Sequence, residues 1–417
     1  MEVPETKRQR SIEETEGNVN VRKKKEIELL NTNRPALILE NLFGIFRFRV
    51  QNNEVVPINK TRKILCIILL SIYIVLFSLS IRKSINITAK FVDMMDEVLS
   101  VVLMIQYILC SIRTSLFFNQ ENIKILTALV DLDEKLYLNT NQNFYKKSRR
   151  VTIKVVFILL LVHTVVSILD LFTDGSDVDM SKIVILPVYM EQSLEISVFC
   201  LMIMMLTRRL KVINNYLAKF IDEKDNSKAS VFIVREKKDG RTEEFNLIGR
   251  ASSDNMKIRD LAVTYDIIGE TCALINEVFN LPICMALIAT FMYVVITIWS
   301  TLGYYRNSSS EGNTASLATI ILWCITAMCL ITFISMTCEK LLLARTETKV
   351  LVNKIIMDYN LPKTMRVQAK AFMELIEAWP LRIYIYDMFS VDITLILKYI
   401  SVSTTYLIVI IQISHYI

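Results

Sequence analysis

The chain is poor in the residues that shape soluble enzymes and disulfide-linked domains. Its 417 residues include only 8 glycines, 7 prolines and 2 histidines, and charged residues make up 22% of them. A soluble protein of this length normally carries more charge and more turn-forming residues. The histidines, His163 and His415, are too few for a zinc site, and no two cysteines form a CxxC pair. We therefore expect no metal, no cofactor and no extracellular disulfide.

The hydrophobic residues, 53% of the chain, are gathered into long runs. Each run holds ~20 residues, which at ~1.5 Å per residue is enough to cross a ~30 Å hydrocarbon core. The pattern therefore predicts an all-α polytopic membrane protein with seven spans and, because its first residues are polar, no cleavable signal peptide. The predicted spans are Lys63–Ile81, Leu99–Phe118, Val151–Leu171, Ile183–Leu206, Leu281–Tyr304, Ala315–Thr337 and Ile393–Ile413.

Lysine and arginine indicate the direction of insertion. They are frequent before the first span and in every second loop after it. The alternate loops hold only five basic residues: Arg82, Lys83, Lys90, Lys182 and Arg306. By the positive-inside rule, the N-terminus is cytoplasmic and the C-terminus extracellular. The candidate glycosylation sites at Asn86 and Asn307 fall in loops predicted to lie outside, which agrees with this orientation.

Composition and orientation argue against three function classes. The net charge of +6 comes from basic residues in loops between apolar runs, so no nucleic-acid partner is expected. We find no metal-ligand cluster, phosphate loop, nucleophile elbow or Cys–His arrangement, so the chain is not expected to be an enzyme. A G-protein-coupled receptor would have the opposite orientation and would carry DRY and NPxxY signatures, which are absent here.

Several loops have apolar residues at helical spacing. These segments are Arg208–Ile221, Lys257–Asn280, Glu339–Asn360 and Thr364–Ala378. They could lie on the membrane surface or form a packed cytoplasmic bundle with extensions of spans four to six. We favour the bundle, because apolar faces beyond the bilayer need something to bury against. The intervening residues 222–256 are charged and polar and are predicted to be mobile.

The predicted organisation has six parts. Residues 1–62 form a partly disordered cytoplasmic segment, 63–206 spans one to four, 207–280 a cytoplasmic loop with helical extensions, 281–337 spans five and six, 338–391 cytoplasmic helices, and 392–417 the seventh span with a short extracellular tail.

The last span carries a motif. Thr405-Tyr406 is followed by five apolar residues and Gln412, and the segment Met388–Leu397 precedes it. In these residues the chain resembles the insect gustatory receptor family, whose signature is TY, five hydrophobic residues and QF. Ile413 replaces the signature Phe. Leu407 stands where sugar receptors of the family usually carry Glu, which argues against the sugar type and leaves bitter-type or unassigned members.

The resemblance implies a homotetrameric or heterotetrameric ligand-gated cation channel. A small-molecule tastant would open a pore lined by four seventh helices, while the other helices carry the ligand pocket and the cytoplasmic helices hold the tetramer together. The expected setting is the plasma membrane of sensory neurons. Membrane lipid and other gustatory receptors are the expected partners. Monovalent cations are the expected permeant ions, with calcium as a further candidate.

Four residues of the last span fall on one stripe of a helix: Ser401, Thr405, Ile408 and Gln412. A lone polar residue in a span can bond a neighbouring helix. Together with the resemblance, a stripe with three polar members favours lining a pore. Four Gln412 amides would replace part of an ion's hydration shell, and Ile408 or Ile413 would form a hydrophobic constriction.

Lys398 lies close to the same stripe near its cytoplasmic end. It either forms a charged ring at the inner mouth or extends its ammonium group to the membrane interface. Both alternatives stay open.

Ionisable and aromatic residues inside the other spans are candidates for ligand contact, because burying polar groups in a membrane is costly. They are His163, Asp170, Tyr189, Glu191, Gln192, Glu195, Tyr293, Trp299 and Trp323. Two carboxylates four residues apart in span four suggest a ligand with a cationic or hydroxyl-rich group. The alternative for each residue is an internal contact between helices or, for Trp299, an anchor at the interface.

Two other functions stay in competition. The related insect odorant receptor class shares the topology and a pore in the last span, but it generally lacks the TY-to-Gln signature. A small-molecule transporter would usually show repeated halves or spans broken by glycine and proline. Here only Pro187 breaks the interior of a predicted span.

Overall fold

The computed structural model describes residues 26–51, 54–85, 91–138, 142–173, 180–226, 258–306 and 314–416. Asn86 and Asn307 lie outside these residues, so their glycosylation stays a prediction. Most of the charged stretch predicted to be mobile, residues 227–256, also lies outside them. All eight cysteines are described and all are free.

The described residues form ten helices and two short hairpins. In chain order the helices are α1 (residues 26–42), α2 (Lys60–Ile85), α3 (Phe91–Ile112), α4 (Asn119–Lys135), α5 (Gln142–Thr173), α6 (Met180–Asn226), α7 (Ile258–Arg306), α8 (Thr314–Met357), α9 (Lys363–Ala378) and α10 (Thr394–Tyr416). A π-helical turn, Arg113–Phe117, joins α3 to α4. Strand β1 (Arg49–Gln51) pairs antiparallel with β2 (Glu54–Val56), and β3 (Tyr384–Ile385) with β4 (Phe389–Ser390).

Each predicted span lies on a helix, which confirms the all-α polytopic fold class. Six helices of the described residues are long and apolar enough to cross a membrane. Their candidate spans are Lys60–Arg82, Val98–Phe117, Asn143–Leu171, Ile258–Leu302, Leu317–Met357 and Thr394–Gln412. The fourth predicted span lies on α6 and is not among the six. It carries polar residues, and residues 191–203 are buried without interruption.

Three helices are far longer than a bilayer requires. Helices α6, α7 and α8 have 47, 49 and 44 residues. At ~1.5 Å per residue each is about 65–75 Å long, more than twice a hydrocarbon core of ~30 Å. They therefore continue without a break onto the predicted cytoplasmic side, as the helical spacing in the loops predicted. Because α7 is continuous, Pro282 also lies inside a helix.

The extensions pack into a bundle with a shared core. Helix α9 buries Met365, Ala369, Phe372 and Ile376, which follow one another at helical spacing. The ring of Phe372 lies edge-on to Tyr265 of α7, with 5.6 Å between ring centroids. These apolar faces are thus covered by other helices and do not lie on a membrane surface.

Helix α1 was not predicted from the sequence. Two residues after its end lies Gly44, which has a φ of +80°. The Gly44 amide donates to the Asn41 carbonyl at 3.2 Å, and the Ile45 amide donates to the Glu40 carbonyl at 2.9 Å. This pair of bonds is a Schellman cap, for which glycine is the favoured residue. The cap reverses the chain and brings Arg47 back beside Glu40.

Trp379 fixes the segment that leads into α10. Its Nε1–H donates to Asp266 of α7 at 2.7 Å, and its carbonyl accepts a bond from the Tyr265 hydroxyl at 3.0 Å. Arg345 of α8 donates to the neighbouring Ile376 carbonyl at 2.8 Å. The end of α9 is therefore held by α7 and α8.

The hairpin of β3 and β4 then sets the start of α10. Tyr386 and Asp387 have φ values of +46° and +57°, and the Met388 amide donates to the Ile385 carbonyl at 2.9 Å. Two successive positive φ values with this bond are typical of a type I′ turn. The Tyr386 amide donates to Asn280 of α7 at 3.1 Å, so the hairpin is attached where α7 reaches its predicted span.

Replacing Gly269 with alanine is expected to destabilise this region. Glycine lies inside α7, where alanine would ordinarily be favoured by ~1 kcal/mol. A Cβ at Gly269, however, would overlap the indole ring of Trp379. Overpacking of this kind costs about 1–3 kcal/mol, so the apparent melting temperature of the purified protein should fall.

The control is the same substitution in a Trp379→Leu background. Because the indole ring is then absent, Gly269→Ala should lower the melting temperature much less there. An equal loss in both backgrounds would show that the glycine is needed for another reason.

Candidate functional site

Helix α10 packs on the rest of the chain through one narrow face. Leu395 and Ile410 are buried. Between them, the Tyr399 hydroxyl donates to the Leu287 carbonyl of α7 at 2.6 Å, and Tyr406 lies edge-on to Phe291 of α7 at 4.9 Å. Among the described side chains of α10, only Leu395 and Ile410 are buried. Most of the helix surface therefore faces away from the chain that carries it.

The polar stripe lies opposite this packed face. Ser401, Thr405, Ile408 and Gln412 are all exposed. At about 100° per residue, their mean direction is roughly 140° from that of Leu395, Tyr399, Tyr406 and Ile410. The residues predicted to line a pore thus share one open face of the helix. The side chain of Ile413 lies outside the described part of the structure.

The start of α10 is capped by Asp392. Its carboxylate accepts bonds from the Thr394 amide at 3.0 Å and from the Ser390 hydroxyl at 2.8 Å. Lys398 is exposed one turn further along, so its ammonium group lies near a carboxylate at the predicted cytoplasmic end.

Four candidate ligand residues come together on four different helices. His163 of α5, Tyr189 of α6, Tyr293 of α7 and Trp323 of α8 form what we call the outer aromatic cluster. The Trp323 ring lies 4.8 Å from Tyr189 and 5.8 Å from His163, and Tyr189 lies 6.2 Å from Tyr293. Apolar residues of α2 and α3 complete the same buried core.

His163 has a partner that the sequence did not indicate. Its Nε2 lies 2.8 Å from the hydroxyl of Ser193, and both side chains are buried. The contact joins α5 to α6 one turn from Tyr189. A polar pair beside aromatic rings can orient a ligand that also fills apolar space.

The two carboxylates of α6 differ in their surroundings. Both are 1% exposed. Within the described residues, neither oxygen of Glu191 has a hydrogen-bond partner. Glu195, in contrast, accepts a bond from Arg47 at 2.6 Å. Glu191 is therefore the α6 carboxylate that lacks a partner in the described chain.

Arg47 donates hydrogen bonds to side chains of three helices, α1, α4 and α6. It donates to both oxygens of Glu40 at 2.8–3.0 Å, to Glu195 at 2.6 Å and to the Asn122 side chain of α4 at 3.2 Å. Its guanidinium also lies 4.8 Å from the centre of the Phe279 ring. Burial raises the pKa of Glu40 to about 7, with the nearby Glu195 charge adding to the effect and Arg47 opposing it.

Three candidates remain. Gln192 is buried on α6. Asp170 and Trp299 are half-buried near the predicted outer ends of α5 and α7, where both have contacts of their own.

One buried polar residue of a predicted span was not among the candidates from the sequence. Gln106 of α3 is 1% exposed, and within the described residues both polar atoms of its amide lack partners. Gln106 is the single amide in the apolar run "VVLMIQYILC". This isolated polar residue could have been identified as a candidate from the sequence. Among the described residues, no group of three His, Cys, Asp or Glu could hold a metal ion.

Comparison with known proteins agrees with this architecture. A family model described as a 7tm chemosensory receptor matches residues 34–417. The structure of the insect olfactory receptor OR5 from Machilis hrabei is similar at 13% identity and a TM-score of 0.58, covering 93% of this chain and 99% of that one. The same receptor in complex with eugenol gives a TM-score of 0.59, again at 13% identity with 93% and 99% coverage. No curated protein matches.

The family match covers most of the chain, and the solved receptors show the same fold over nearly all of it. The chain belongs to the 7tm chemosensory receptor family.

Proposed function

We propose that this chain is a gustatory receptor of bitter or unassigned type. In this proposal it is one subunit of a tetrameric, ligand-gated cation channel for small-molecule tastants in the plasma membrane of sensory neurons. The polar stripe carries the proposal. It contains Thr405 and Gln412 of the TY-to-Gln signature, and it lies on the face of α10 opposite the packed one.

A bilayer gives the physical reason for assembly. A hydroxyl or amide exposed to hydrocarbon lacks the hydrogen bonds that water supplies, and this is costly. Four copies of α10 around one axis would turn Ser401, Thr405 and Gln412 toward a water-filled path. Ile408 would then form an apolar ring between polar ones, where a pore can close by losing its water.

The outer aromatic cluster is the proposed tastant site. Its rings come from four helices, and the His163–Ser193 pair supplies polar atoms beside them. Since the rings contact one another, a ligand entering here has to separate or replace those contacts. Glu191 is a second proposed contact, because a buried carboxylate without a partner gains from any donor that reaches it.

An odorant-receptor-type channel subunit is the second candidate. The similarity to a solved insect olfactory receptor favours it. The TY-to-Gln spacing in α10 favours the gustatory type. Both candidates place a pore at α10, so the pore experiments below test them equally, whereas the identity of the active compounds separates them.

Gln412→Ala should change ion selectivity. The chain is expressed in a heterologous cell, and whole-cell current is recorded while a broad panel of tastants, with eugenol included, is applied. An amide ring that replaces hydration water loses this role in alanine. We expect a shifted reversal potential in mixed cation solutions with the agonist concentration for half-maximal current little changed.

Two adjacent threonines provide a matched control. Thr404 and Thr405 are both exposed, and each hydroxyl bonds a backbone carbonyl one turn earlier. Thr405 lies on the polar stripe, and Thr404 lies about 70° from its centre. Thr405→Val should alter conductance or selectivity, and Thr404→Val should not. Equal effects, or none from either, would move the pore away from this stripe.

Glu191→Gln and Glu195→Gln should have different consequences. Glu195→Gln weakens a buried ion pair, which costs about 3 kcal/mol, so surface expression should fall. Glu191→Gln removes no ion pair, so expression should persist. If Glu191 contacts the agonist, the half-maximal concentration should rise about tenfold, the equivalent of ~1.4 kcal/mol. An unchanged dose–response curve in well-expressed Glu191→Gln would exclude this contact.

Trp323→Phe should reduce agonist potency more than Trp299→Phe. Both substitutions shorten an aromatic side chain, but Trp323 lies in the outer aromatic cluster and Trp299 lies outside it. A lost aromatic contact of ~0.5–1.5 kcal/mol corresponds to about a 2- to 12-fold higher half-maximal concentration. Calcium imaging of agonist dose–response curves measures both variants. A larger effect from Trp299→Phe would place the ligand nearer the outer surface.

A further inference from the structure

A cavity lies beside α1 and the start of α2, and none of the outer aromatic cluster residues line it. It has a volume of about 380 Å³ and is bounded by α1, by β1 with the residues before it, and by Arg62 at the start of α2. This volume falls in the range of small-molecule sites, about 300–1,000 Å³. The predicted pore and tastant site use none of the residues that line it.

The lining is strongly basic. Three arginines, Arg34, Arg47 and Arg62, face one carboxylate, Glu40. Arg47 and Glu40 satisfy each other in the buried network described above. Within the described residues, Arg34 and Arg62 have no ion-pair partner, and their two positive charges are left for a ligand. Guanidinium groups bind phosphate oxygens with good geometry, so this site favours a phosphate group.

The rest of the lining consists of apolar side chains and two asparagines, Asn31 and Asn41, and the cavity is open at its edge. Leu30, Leu37 and Phe48 line it, together with Ile38 and Val50. The last two are 55% and 51% exposed. A free anion would gain nothing from these side chains. A molecule with a phosphate and an adjoining hydrocarbon part would be held by both halves of the lining.

The cavity also lies at the depth of lipid headgroups. Arg62 stands two residues before Ile64, Leu65, Ile67 and Ile68 of α2, which are 44–57% exposed and begin the first span. By the positive-inside orientation this is the inner leaflet, which carries anionic lipids.

We propose that this cavity binds the phosphorylated headgroup of an anionic phospholipid of the inner leaflet. Arg34 and Arg62 bind the phosphate oxygens, and the apolar edge formed by Ile38 and Val50 accepts the start of the acyl chains. The bound lipid bridges α1 and α2, which both contribute to the lining.

Native mass spectrometry of the full-length chain in detergent tests the proposal. The probes are dioctanoyl phosphatidylinositol 4,5-bisphosphate, dioctanoyl phosphatidylcholine and the soluble inositol 1,4,5-trisphosphate. We expect saturable binding of the bisphosphate lipid at one high-affinity site, with phosphatidylcholine and the trisphosphate binding at least about tenfold more weakly. In Arg34→Gln/Arg62→Gln the affinity for the bisphosphate lipid should fall about tenfold or more.

Two further variants provide a control and a second test of the site. Arg82→Gln removes an exposed arginine at the opposite end of α2 and should leave binding unchanged. Arg34→Glu alters an exposed residue of the cavity lining, so it should fold normally and still weaken binding even if the double variant is unstable. Binding unchanged in Arg34→Glu overturns the site. Equal affinity for the trisphosphate overturns the lipid as its occupant and assigns a soluble phosphate compound instead.

Discussion

Arg47 donates hydrogen bonds to Glu40, Glu195 and Asn122, and all four side chains are buried. Removing one partner from a buried charge typically costs about 3–5 kcal/mol, because the remaining charge is left without compensation. One cation therefore fixes the position of α1 on α4 and α6. The Schellman cap at Gly44 is what allows this, since it turns the chain so that Arg47 and Glu40 meet. The basic cavity, the docking of α1 and the environment of the α6 carboxylates all follow from the same network.

The network also explains why two glutamates on one face of α6 differ. Glu191 and Glu195 are four residues apart, so a helix presents them in nearly the same direction. Arg47 donates to Glu195, and Glu191, one turn away, has no hydrogen-bond partner among the described residues. The two carboxylates therefore lie in two different environments: Glu195 is held in an ion pair, and Glu191 has no hydrogen-bond partner among the described residues.

Local physics made the spans and the helical extensions predictable. Long apolar runs identified the membrane helices, and apolar residues at helical spacing identified α9 and the inner halves of α6 to α8. The partners of buried polar groups could not be predicted in this way, because they are distant in sequence: Arg47 and Glu195 are 148 residues apart, and His163 and Ser193 are 30 apart. Helix α1 escaped prediction because Pro35 and three asparagines lower its intrinsic helix propensity. Burial of Leu29 and Ala36 against the bundle outweighs that cost.

Helix α7 contacts both the outer aromatic cluster and α10, through two residues that are close together. Tyr293 belongs to the outer aromatic cluster, and Phe291 holds Tyr406 of α10. They are separated by about 3 Å along the axis and point to nearly opposite sides. The cluster and α10 thus share a wall that is one helix thick, about 10 Å. A movement of α7 at Tyr293 therefore also moves Phe291, because no loop or domain boundary separates the two residues. Mechanical coupling between the cluster and α10 therefore depends on the rigidity of one turn of α7, although the residues of the two regions are far apart in sequence.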